Sequence, residues 1–297
     1  MASLLQQFRQ ALLQIEEGNL VNAIYDLEQC LPFISVEEKY NILVQWWQPL
    51  HKAAGKGHTD IIRRILNGLT ANQRMKLLKT QDAAGDTALH SAVGGNHLAT
   101  IRYLLNEILV DDKIELLKIQ GNDDETLLHY AAGEGHTDII KYLLEDISID
   151  RKFELLKVKG RSGETAMHYG ACEGHTDIVH ILLHGIPADL KTELLKTQSN
   201  YGETAIHYAA WDGHPDIINI LLDSTSIEEK INLLKIRSAL APHPLTPTGI
   251  ALPQQRGIVP VASCDLPLNT ATTPQQRARQ NQDDLSAVPH LGIFESE

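Results

Sequence analysis

One interval, 39 residues, recurs along most of this 297-residue chain. Histidine stands at His58, His97, His136, His175 and His214, and Leu-Leu-Lys begins at Leu77, Leu116, Leu155, Leu194 and Leu233. Thr87, Thr126, Thr165 and Thr204 each precede a further histidine by three residues. Self-similarity at a fixed period of roughly 20 to 50 residues specifies a stack of small units, because one such unit cannot bury its own apolar face and must cover it with its neighbours.

The copies can be laid over one another. GDTALHSAVGGNHLATIRYLL (85–105), DETLLHYAAGEGHTDIIKYLL (124–144), GETAMHYGACEGHTDIVHILL (163–183) and GETAIHYAAWDGHPDIINILL (202–222) vary one sentence, and QPLHKAAGKGHTDIIRRIL (48–66) adds a fifth copy. These segments resemble the ankyrin repeat, whose pattern runs from Gly-Xaa-Thr through His-Xaa-Ala-Ala and Gly-His to an aliphatic stretch ending in Leu-Leu. The resemblance covers Gln48 to about Ile236, and a decayed sixth copy precedes it, with Gly18-Asn19 standing 39 residues before Gly57-His58.

The expected fold is therefore all-α: an ankyrin-type helical solenoid of about six repeats, each a pair of antiparallel helices. Threonine opens the first helix, since its hydroxyl can satisfy an unpaired amide of the first turn. Glycine at Gly57, Gly135, Gly174 and Gly213 ends it, where a left-handed residue is least costly. Each unit carries six residues more than a standard ankyrin repeat, and in ISIDRKFELLKV the residues Ile149, Phe153 and Leu156 fall at i, i+4 and i+7. That stripe predicts a third short helix in each unit, with Val110, Ile114, Leu117 and Ile227, Ile231, Leu234 as its counterparts. The organisation expected is a degenerate capping repeat at 1–46, five repeats at 47–240, and a tail at 241–297. Eight of the twelve prolines lie in the tail, so its composition predicts disorder.

Charge and cysteine content narrow the function. A net charge of −12, with no basic cluster, disfavours nucleic acid. Cys30, Cys172 and Cys264 show no paired spacing, which points to neither a disulfide framework nor a zinc site and suits a reducing compartment. No apolar run of about 18 residues or secretory leader is evident, so no membrane association is expected.

Ten of the fourteen histidines belong to two ladders, one in the first helix and one after the glycine, and the family resemblance gives both structural work. Nucleophile elbow, phosphate loop and paired catalytic carboxylates are all missing. The chain is read as no enzyme, with no cofactor and no metal. Cys172 falls at a variable position taken for a surface slot, and Tyr130, Tyr169 and Tyr208 are read as packing.

In ankyrin proteins the partner is held by the turn before the first helix and by the two positions after its Ala-Ala. Carried onto this sequence, that places partner contacts at Lys56, Asp86, Glu125, Glu134, Arg161, Glu164, Glu173, Tyr201, Glu203, Trp211 and Asp212. Carboxylates dominate the set, with Tyr201 and Trp211 as large anchors. The reading is a monomeric, noncatalytic scaffold that holds a protein with a basic surface on its concave face; the alternative is a recruiting or targeting subunit of an enzyme complex. Near-identical copies such as GHTDII at 57–62 and 135–140 are similar to the expanded ankyrin arrays of intracellular bacteria and protists. Two sites of action stay open on that likeness: the cytoplasm of the producing cell, or a host cytosol reached by secretion without a signal peptide.

Overall fold

In the computed structural model, residues 2–46, 48–223 and 225–236 are described. They form eighteen α-helices and no strand; the nearest approach to one is an isolated antiparallel bridge between Gln81 and Thr87. The tail expected to be disordered, and Trp47, lie outside the described residues.

The N-terminal unit consists of α1 (Ala2–Glu17), α2 (Leu20–Cys30), a 3-10 turn (Leu31–Phe33) and α3 (Val36–Gln45). Five triplets follow. They are α4 (Gln48–Gly55), α5 (Thr59–Leu66) and α6 (Ala71–Leu78), then α7 (Ala88–Gly94), α8 (Leu98–Leu104) and α9 (Val110–Leu117). The third and fourth are α10 (Leu127–Gly133), α11 (Thr137–Leu144), α12 (Ile149–Leu156), and α13 (Ala166–Cys172), α14 (Thr176–Leu183), α15 (Ala188–Lys196). The last is α16 (Ala205–Trp211), α17 (Pro215–Asp223) and α18 (Ile227–Leu234). The six extra residues per unit thus make the third helix, and the usual projecting hairpin is replaced by a short turn. In that turn Gly160 N–H donates to Glu164 O at 2.8 Å and Ser199 N–H to Glu203 O at 2.8 Å.

Helices stack in rows. First helices pack on first helices (α4, α7, α10, α13, α16) and second helices on second (α5 on α8, α11 on α14, α14 on α17). Their shared core is aliphatic: Ile139, Ile140, Leu143, Ile178, Val179 and Leu182 are completely buried. The third helix departs from expectation at its first turn. Val110 and Ile149 are 44% and 45% exposed, whereas Ile114 and Phe153 are 6% and 7%. A residue at N1 projects beyond the neighbouring helix; the buried partner one turn later is instead joined by the first leucine of Leu-Leu-Lys, Leu116 and Leu155 at 1% and 2%.

Truncating a fully buried leucine in a close-packed row removes transfer free energy and leaves a cavity that rigid neighbours fill poorly. Leu143→Ala and Leu182→Ala should each lower unfolding free energy by about 2–5 kcal/mol. An unchanged denaturant midpoint in either variant would contradict the stacking.

Candidate functional site

The turn and the first helix carry most of the residues expected to meet a partner, and their backbone is set by histidine. In each of four units Nδ1 of the first-helix histidine accepts the N–H of the threonine three residues before it: His90 from Thr87 at 3.2 Å, His129 from Thr126 at 3.1 Å, His168 from Thr165 at 3.1 Å and His207 from Thr204 at 3.2 Å. The imidazole occupies the place that Glu or Gln takes in a capping box. Because Nδ1 accepts, the proton sits on Nε2, which in His129, His168 and His207 donates onward. His129 reaches Glu164 O and His168 reaches Glu203 O, both at 3.2 Å, in the turn of the following unit.

The second histidine ladder runs the other way. His97, His175 and His214 donate from Nε2 to Gly55 O, Gly133 O and Cys172 O of the preceding unit, at 3.1, 3.1 and 2.9 Å. Gly135 and Gly174 serve this contact twice over. Each has a positive φ, 76° and 78°, and a Cβ on either would come within 2.7 Å and 2.6 Å of the next unit's imidazole. Alanine there would meet backbone strain and a ring clash together.

Tyrosine closes a third ladder. Tyr130 OH donates to Asp86 Oδ1 at 2.9 Å, Tyr208 OH to Glu164 Oε1 at 2.9 Å, and Tyr169 OH to Glu125 Oε1. The same rings stand edge-on to the histidines one unit back, with centroids 5.4–5.6 Å apart for His90–Tyr130, His129–Tyr169 and His168–Tyr208. The tyrosines therefore pack, as expected, and each also holds a carboxylate.

This contact corrects part of the predicted site. Glu125, Glu164 and Glu203 are only 6%, 1% and 2% exposed, so they lie inside the stack and not on a partner-facing surface. Asp86 is committed as well, accepting both the Tyr130 hydroxyl and Asn122 N–H at 2.9 Å. Arg161 is exposed but engaged. It pairs with Asp123 at 2.5 Å and Asp124 at 3.5 Å, and its N–H donates to Asp123 O at 2.8 Å. Those two aspartates have φ of 56° and 59° in a turn whose counterparts use glycine, so Arg161 fastens an unusual backbone. Cys172 is 3% exposed, not a surface residue, with Sγ 3.4 Å from Asp212 Oδ2.

What remains at the surface is one row at the end of the first helices. Lys56, Glu134, Glu173 and Asp212 occupy equivalent positions and all are exposed. Trp211 is 49% exposed, its ring centroid 6.0 Å from that of Tyr208, and Tyr201 is 39% exposed on the last turn. The carboxyl of Glu173 is raised above its ordinary range, first by partial burial and then, against the opposing pull of His175, by Asp212 and Glu134. Burial raises Asp212 too. Among the described residues no group of three or more His, Cys, Asp or Glu could hold a metal ion, and no helix is long and apolar enough to cross a membrane.

The family model for ankyrin repeats, in three copies, matches residues 19–114, 110–193 and 155–233. The chain belongs to the ankyrin-repeat family. Ankyrin repeats generally mediate protein–protein interaction and are typically noncatalytic. Among curated proteins none matches the chain.

Two further ladders escaped the sequence reading. Gln81 and Gln120 donate from Nε2 to Gln120 O and Lys159 O of the next turn at 2.8 and 2.9 Å, and Lys159 Nζ to Gln198 O at 2.7 Å. On the third helix, Lys113 Nζ reaches Tyr142 O and Glu145 O, both at 3.0 Å, and Lys152 Nζ reaches Ile181 O and His184 O at 2.8 and 2.7 Å. Arg74 and Lys39 do the same toward Tyr103 O and Asn67 O. These cations cap the carbonyl end of the next unit's second helix. The 39-residue recurrence of Arg74, Lys113 and Lys152, with Lys39 at 35 before them, was available in the sequence.

The buried groups give the array opposite pH responses. Burial depresses His129 and His168 to about 4, so the unfolded chain takes up protons first as pH falls below about 6.5, and stability is lost toward pH 4. Burial lifts Glu125 to about 7 against the opposing Tyr169 hydrogen bond, so this group favours the fold at low pH and loses that contribution as pH rises through 7. His168→Gln retains a capping-box residue but cannot titrate; its denaturation midpoint should fall less than that of the parent between pH 6.5 and 4. In Glu125→Gln, the stabilisation gained by the parent on going from pH 8 to 5 should be missing. Denaturant titrations at four pH values check both.

Proposed function

We propose that this chain is a noncatalytic scaffold that holds a basic protein surface on the face formed by the ends of its first helices. The observation that carries the reading is the exposed row Glu134, Glu173 and Asp212 with Trp211 beside it. All four side chains are exposed, and Asp212 also accepts from Cys172 Sγ at 3.4 Å. Partly buried carboxyls such as Glu173 and Asp212 gain from an incoming cation, and an exposed indole offers a large apolar surface and a π-face for a guanidinium. Lys56 and Tyr201 extend the same face, so a single chain supplies the whole site. The buried turn acids serve the site only indirectly, by holding the backbone that presents it.

The duplicated copies support a further placement: an effector working in a host cytosol. The alternative, a recruiting subunit of an enzyme complex, uses the same face with the catalyst as cargo.

Charge reversal tests the face. Full-length chain and the variant Glu134→Arg/Glu173→Arg/Asp212→Arg serve as baits in extracts of the producing organism and of eukaryotic cells at low and high salt. Basic proteins captured by the parent should bind the variant at least about tenfold more weakly and lose their salt dependence. Trp211→Ala should weaken capture by a similar factor. Equal capture by parent and variants would mean that these charges only solvate the array.

A further inference from the structure

The last unit is built like an internal one yet has no described neighbour. Inside the array, the second and third stripe positions of the third helix are covered by the following unit: Ile114 and Leu117 are 6% and 0% exposed, Phe153 and Leu156 7% and 2%. Their counterparts on α18, Ile231 and Leu234, are 47% and 57% exposed, and Ile227 is 79%. A terminal repeat that only faced water would carry polar residues here. Lys230 likewise stands where Lys113 and Lys152 stand, three and two periods earlier, and those two each donate to a pair of carbonyls in the next unit.

The opposite end shows the complementary deficit. In the interior, cations of one unit lie over a tyrosine of the next: Arg63 and Arg74 over Tyr103 at 4.9 and 5.4 Å, Arg102 and Lys113 over Tyr142 at 4.5 and 5.2 Å. Stepping back by the period from Tyr142 through Tyr103 and Arg64 reaches Tyr25. Tyr25 is 61% exposed, next to Val21 at 80% and Phe33 at 67%, and no cation lies over its ring among the described residues. Helix α2 carries no basic residue, and its acids are engaged within the chain, Glu28 pairing with Arg64 at 2.9 Å and Asp26 accepting from Gln14 at 3.0 Å. One end of the array therefore offers a cation and an apolar stripe; the other offers a bare aromatic ring flanked by exposed apolar side chains.

We propose that the chain associates head to tail with a second copy, α18 of one protomer docking on α2 and the 3-10 turn of the next, with Lys230 over Tyr25 and Ile231 and Leu234 against Val21 and Phe33. The contact reuses the internal joint between repeats and is heterologous, so each dimer keeps one free end of each kind and grows by further addition. The row at Glu134, Glu173 and Asp212 takes no part in it.

Sedimentation velocity of the full chain across a concentration series tests this directly. Ile231→Asp blocks one end and Tyr25→Asp the other. Both side chains are exposed, so the variants should retain the parental helix signal; Lys230→Glu provides a milder block. The parent should show mass rising with concentration beyond the dimer. Each variant alone should dissociate at least about tenfold more readily. An equimolar mixture of Ile231→Asp and Tyr25→Asp should recover a dimer and nothing larger, because one intact end survives on each. A parent that stays monomeric throughout overturns the proposal, the α18 face then belonging to later residues of the chain or to a different protein. A mixture that fails to dimerise, or a variant that associates like the parent, overturns it equally.

Discussion

Everything in this array depends on an imidazole kept neutral by being used at both nitrogens. Nδ1 of His129 closes the N-terminus of its own helix, and Nε2 reaches the turn of the next unit. Protonating Nδ1 would put a donor against a donor in a site that excludes water, which is why burial holds the ring near 4. The group is therefore unavailable for acid–base chemistry at neutral pH, however many copies the sequence contains. Because the second ladder points backward while the first points forward, the junctions of the third unit with the fourth and of the fourth with the fifth are tied from both sides. Sliding one unit along its neighbour would break both sets together.

The carboxylate–phenol pairs use the same logic with a larger stake. A carboxylate inside a stack is tolerated only with donors in place, and removing one partner leaves the other stranded. Glu164 accepts from Tyr208 across the junction while its own carbonyl accepts from His129 of the unit before. One turn residue thus contacts units on both sides of it. The lysines of the third helix extend the principle to the second helices, whose terminal carbonyls would otherwise lack partners. This gives the six additional residues of each unit a physical purpose: they bring a cation to a helix end that a projecting hairpin could not reach.

The period, the helix starts and the glycine stops were legible because each is a local requirement written at one position: Thr87 before His90, Gly135 after α10. The third helix was legible from Phe153 and Leu156, but Val110 and Ile149 show that an apolar stripe does not reveal which of its members the neighbour covers. The turn acids were misread because a Glu in a turn has the composition of a solvated loop, and only a partner from another unit makes it an interior residue. The signal for that partner was present as an offset. Tyr130, Tyr169 and Tyr208 each stand 44 residues after Asp86, Glu125 and Glu164, one period plus five. Cys172 was misread for the same reason, since its thiol meets Asp212 a unit away.

The structural demands also decide where recognition can vary. A residue fixed by a ladder cannot be altered for the sake of a partner without loosening two units, so Glu125, Glu164, Glu203 and the ladder histidines are closed to adaptation. The positions after Ala-Ala are not: they read Gly55-Lys56, Gly94-Gly95, Gly133-Glu134, Cys172-Glu173 and Trp211-Asp212. In three of the five the first carbonyl is held by a histidine of the next unit, through bonds to Gly55 O, Gly133 O and Cys172 O, and a carbonyl contact is indifferent to the side chain it belongs to. The array can thus place glycine or cysteine on one and the same hydrogen bond. Separation of a fixed main-chain contact from a free side chain lets a strict repeat present a surface that is not itself repetitive.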